Sequence, residues 1–71
     1  MLSNATYDLM EMATVISKGL HRHETFKKDA KDCQQCQQIW DVMKRADEEQ
    51  LSRITAHLKQ HMDKETQAKA A

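Results

Sequence analysis

Lys27-Lys28-Asp29-Ala30-Lys31-Asp32-Cys33-Gln34-Gln35-Cys36 is the stretch on which the fold turns. On both sides of it apolar residues recur at steps of three and four. Within residues 27–35 that pattern lapses into charge and amide. The lysines suit the negative end of a helix, and Asp32 can cap the start of another. The reading is a turn at Lys31 to Gln34 between two helices, with Asp32 as N-cap. The competing reading is one unbroken helix, and the lapse in the seam argues against it.

Working back from the turn, Leu9, Ala13, Ile16, Leu20 and His23 alternate at steps of four and three. That spacing puts them on one helix face. Met12 and Phe26 widen the face. Ser3 or Asn4 can cap a helix that runs from about residue 3 to 30. Working forward, Cys36, Trp40, Met43, Asp47, Leu51, Ile54, Leu58 and Met62 mark a second seam, in a helix from about 34 to 64. The last residues, 65–71, carry no seam and are expected to fray.

The composition agrees with helix throughout. Glycine occurs once among 71 residues, at Gly19, and proline does not occur. Eleven Lys and Arg balance eleven Asp and Glu, so the basic surplus of a nucleic-acid binder is missing. No apolar run is long enough to cross a bilayer. The first residues lack the charged and apolar regions of a signal peptide. The expectation is a single cytoplasmic domain whose cysteines are reduced thiols.

Two helices meeting along one seam make a thin core. Chains this short usually need disulfides, metal or oligomerisation. The expected architecture is therefore an all-α, two-helix antiparallel hairpin that dimerises into a four-helix bundle. Gly19 fits a close approach by another helix, because it has no side chain, at a cost to its own helix of about 1 kcal/mol against alanine.

Three features carry chemistry. Cys33-Gln-Gln-Cys36 is a CxxC at a helix start. It admits a redox pair, half a zinc site, or two small residues at a crowded turn. His57 and His61 are four apart and share a face, so they can chelate one ion. His21 and His23, two apart, point in different directions. Cysteines and C-terminal histidines together have the residue types of a zinc finger, but the gap from Cys36 to His57 is continuous helix. At 1.5 Å per residue they lie about 30 Å apart in one chain. Only an antiparallel dimer brings one chain's cysteines to the other's histidines. Finally, Glu24 lies beside the first seam and Asp47 on the second, within one or two turns of each other across the hairpin. Carboxylates facing into a bundle are costly unless paired or bound to metal.

The residues His23-Glu24-Thr25-Phe26-Lys27-Lys28-Asp29-Ala30 and Ala46-Asp47-Glu48-Glu49-Gln50-Leu51, with Ile54 and Leu58, resemble the helical pairs of the ferritin-like superfamily, especially small rubrerythrin-like proteins. The resemblance covers about half the chain. It implies an iron site using a Glu from one helix and Glu-x-x-His from the next. Glu24 matches the first position. Asp47-x-x-Gln50 falls on the second, with glutamine in the place of histidine, which implies a degraded or absent centre.

The reading that joins these observations is a structural or protein-interaction module, a homodimer without assigned catalysis. Two alternatives stay open. One is a ferritin-like metal-binding bundle using Glu24, Asp47, His57 and His61 with iron or zinc. The other is a thiol or zinc module centred on Cys33 and Cys36.

Overall fold

The computed structural model describes residues 2–70, with side chains through residue 66. Two helices, α1 (Asn4–Asp29) and α2 (Gln34–Ala70), fold back on each other as a hairpin. The hairpin is a slender rod of 59 × 16 × 14 Å. Among the described residues, no helix is long and apolar enough to cross a membrane.

Ser3 starts α1 as expected. Its backbone is extended, and its hydroxyl oxygen accepts the Thr6 N–H at 3.2 Å. That satisfies one of the four free amides of the first turn. Lys27 and Lys28 occupy the last turn, where the helix dipole favours cations. The Ala30 N–H closes α1 on the carbonyls of Phe26 and Lys27.

The turn needs no left-handed residue, and no non-glycine among the described residues has a positive φ. The Cys33 N–H bonds the Ala30 carbonyl at 2.9 Å, so residues 30–33 close a tight turn. Gln37 reinforces it by donating its side-chain amide to the same carbonyl at 3.1 Å. The cap of α2 is Cys33 rather than Asp32. The Cys33 carbonyl accepts the Gln37 N–H, and its Sγ accepts the Cys36 N–H at 3.3 Å. Asp32 is still inside the turn, so the cap moves by one residue while α2 begins at Gln34 as expected.

At the far end α2 runs to Ala70, past the expected end near Lys64. Glu65 is held against α1, because the Ser3 N–H and the Thr6 hydroxyl both donate to its Oε1. The seam thus extends one more step, to a polar residue that an apolar pattern does not mark.

The helices meet along the predicted seams. Leu9, Ala13, Ile16 and Leu20 of α1 and Trp40, Leu51, Ile54 and Leu58 of α2 are half-buried. Met43 and Met62 were expected on the seam but lie beside it, 45 % and 39 % exposed, and His61 takes the seam position next to Met62. None of the described apolar side chains is buried in the hairpin. The two buried residues among those described are polar, Thr6 at 0 % exposure and His23 at 4 %. A rod of two helices leaves each apolar side chain too exposed to enclose an apolar core.

Candidate functional site

Three polar clusters are spaced along the rod. The first surrounds Thr6 at the open end. Its hydroxyl donates to Glu65 Oε1 at 2.8 Å and contacts Ser3 Oγ at 2.9 Å and His61 Nδ1 at 3.1 Å. With its proton given to Glu65, the Thr6 oxygen accepts from both other neighbours. His61 therefore carries its proton on Nδ1. On the other edge of that ring, His61 Nε2 lies 3.1 Å from His57 Nε2. The His57 Nδ1 is 3.3 Å from Gln60 Oε1.

Hydrogen bonds from Ser3 and then Thr6, with His61 nearby, hold the Glu65 carboxyl below its usual range. A depressed folded value stabilises the fold above the unfolded value near 4.5 and loses that contribution as pH falls through the folded one. Acid titration followed by circular dichroism is expected to show loss of helix below about pH 4.5. Glu65→Gln is expected to flatten that limb. An unchanged acid limb in the variant counts against the anchor.

The second cluster is His23, buried between Phe26 and Trp40. The ring centroids of Phe26 and Trp40 lie 5.9 and 6.3 Å from His23 and 5.0 Å from each other. His23 Nε2 reaches Asp47 Oδ2 at 3.4 Å. Its Nδ1 is covered and has no protein partner among the described residues. Beside it Lys27 and Asp41 pair at 2.9 Å across the hairpin.

The third cluster is the thiol pair at the turn. Cys33 and Cys36 are both free and half-buried. The Cys36 thiol and N–H bond to Cys33 and lower its pKa, whereas donating to Cys33 and burial raise that of Cys36. More of Cys33 is thus thiolate at neutral pH. Limited alkylation with iodoacetamide, read by peptide mass spectrometry, is expected to label Cys33 before Cys36. Equal labelling, or labelling of Cys36 first, contradicts the assignment.

Set against the sequence expectations, the hairpin brings His57 and His61 together and keeps Cys33 and Cys36 adjacent. It does not bring Glu24 to Asp47. The Glu24 side chain is 84 % exposed on the outer surface and lies 3.9 Å from Lys28, while Asp47 is engaged by His23. The di-iron set implied by the resemblance is therefore not assembled within one chain. Among the described residues, no three His, Cys, Asp or Glu side chains gather as a metal-holding group.

Thr6 and Glu65 were not among the residues singled out from sequence. Both continue the three-and-four spacing, Thr6 one step before Leu9 and Glu65 one step after His61. The signal was present in the period but absent from an apolar pattern.

Counting in sevens from the seam separates the two flanks of the hairpin. One carries Ala5, Met12, Gly19 and Phe26 from α1 beside Cys36, Met43, Gln50, His57 and Lys64 from α2. Met12 and His57 line one shallow cleft with Leu9 and Ile54. The other flank carries Met10, Ser17 and Glu24 beside Gln34, Asp41, Glu48, Thr55 and Met62. The first is the more apolar, and the second holds three carboxylates. No protein-family description, curated protein or solved structure matches this chain.

Proposed function

We propose that the chain is a small interaction module that works as a homodimer, two hairpins packing flank to flank into a four-helix bundle. The observation that carries the reading is that no described apolar side chain is buried within one hairpin. Folding needs apolar area removed from water, about 25 cal/mol per Å². A single chain removes little.

The occupant that fits the open flank is a second copy. Met12 is 49 % exposed, and Phe26, Cys36 and Met43 continue its stripe, so a twofold operation buries like against like. The net charge of zero raises no overall repulsion between copies. Gly19 supports the same side: a Cβ built there meets nothing within 4 Å. Packing inside the hairpin does not require glycine at this place, and a neighbouring helix would benefit from its absent side chain.

The reading is tested by thermal unfolding over a roughly hundredfold range of chain concentration, since association makes the midpoint depend on concentration. The midpoint is expected to rise with concentration. A midpoint that stays constant overturns the dimer.

A further inference from the structure

The His57–His61 pair presents two imidazole nitrogens to one point in space. His61 Nδ1 faces the Thr6 hydroxyl oxygen, whose own proton is on Glu65. His57 Nδ1 lies 3.3 Å from Gln60 Oε1. The two Nε2 atoms lie 3.1 Å apart, and one proton bridges them as a hydrogen bond. A divalent ion can replace that proton, because each Nε2 has a lone pair to offer once the proton leaves. Metal-bound histidines show this same support, the far nitrogen donating to an oxygen acceptor that fixes the tautomer. With zinc–nitrogen bonds of about 2.0–2.1 Å, two cis ligands sit about 2.9 Å apart at a right angle and about 3.3 Å apart at the tetrahedral angle. The observed separation falls between.

Two nitrogens leave a tetrahedral ion two positions short, and the heptad supplies the rest. Cys33 and His61 are four whole heptads apart on α2, and Cys36 and His57 are three. Cys36 and His57 fall on the open flank with Met43, and Cys33 and His61 fall on the adjoining edge of the seam with Trp40 and Ile54. Both pairs share a midpoint, at residues 46–47. A twofold axis crossing α2 there sets Cys33 against the other copy's His61 and Cys36 against its His57 at once. The apolar stripe flanks that level, through Gly19, Phe26 and Met43.

We infer that a zinc-class divalent ion binds between the copies, held by His57 and His61 Nε2 of one chain and by Cys33 and Cys36 Sγ of the other. Two such sites form per dimer, one ion per chain. Imidazole with thiolate is a donor set that suits zinc. On binding, each thiol releases its proton to solvent and no electrons move. The inference rests on the dimer proposed above and fixes its register.

The test uses the full chain, stripped with chelator, kept reduced, and titrated with cobalt(II) as an optical stand-in for zinc. One ion per chain and a thiolate-to-cobalt charge-transfer band are expected. His57→Gln chains alone, and Cys33→Ser/Cys36→Ser chains alone, are expected to lose the band while staying helical by circular dichroism. An equimolar mixture of the two variants is expected to recover about a quarter of it, because half the dimers are mixed and each holds one intact site. A wild-type chain that is dimeric in chelator but gives no sulfur band overturns the site and leaves the dimer standing. A band that the mixture does not restore overturns the shared site, and a chain that stays monomeric with and without metal overturns both.

Discussion

A chain carrying Met12→Asp and Met43→Asp together is expected to lose the proposed dimer and, with it, most of its helix. Both methionines are about half exposed in the hairpin, at 49 % and 45 %. Within one chain such surface replacements cost no more than about 0.5 kcal/mol each. In the bundle they place four carboxylates in an apolar interface without partners, at a cost of several kcal/mol apiece. The asymmetry between those two costs is the prediction. Light scattering is expected to fall from twice the chain mass to one, and the far-ultraviolet helix signal is expected to fall too, since none of the described apolar residues is buried in the lone hairpin. Met10→Asp with Met62→Asp is the matched control. Those methionines are also exposed but lie on the polar flank, and their replacement is expected to leave the mass unchanged. If both pairs behave alike, the choice of flank is contradicted.

His23→Ala is expected to lower stability by about 2–3 kcal/mol. At fixed chain concentration that lowers the unfolding midpoint by roughly 10–20 °C for a domain of this size. The ring is 4 % exposed and packs edge-on against Phe26 and near Trp40. Alanine removes that packing and leaves Asp47 without its partner. His23→Phe restores the volume and drops the uncompensated Nδ1, so its cost is expected to stay within about 1 kcal/mol. That contrast separates packing from chemistry. A His23→Ala chain with an unchanged midpoint would show that the aromatic cluster does not hold the hairpin together.

The hairpin was legible because helical periodicity is a local signal. Leu9, Ala13, Ile16 and Leu20 face α2 as their spacing requires, and Trp40, Leu51, Ile54 and Leu58 face back. Ser3 could be placed as a cap because its hydroxyl acts on an amide three residues away. The cap of α2 was missed by one residue. A cysteine sulfur took the place that side-chain oxygens usually hold, and the hydrogen bonds of the turn decided between neighbours.

The polar contacts were less legible, for a different reason. Thr6 meets His61 and Glu65 across 55 and 59 residues of sequence. Such pairs depend on register, and a one-step slide of α2 would exchange every partner. The same holds for His23 with Asp47. Glu24 shows the converse. It adjoins the seam in sequence, but one position to the side carries it round the helix into solvent, beside Lys28. A hundred degrees per residue is enough to separate a bundle ligand from a surface charge.

We propose that this hairpin is half of a structure. The molar mass of the unmodified chain in solution decides it, by light scattering coupled to size exclusion, at micromolar concentration with reductant present. A mass of two chains, sharing the strongly helical spectrum of α1 and α2, is the predicted result. A monodisperse single-chain mass with that helical spectrum intact would overturn the dimer, because the hairpin would then stand with its apolar flank uncovered.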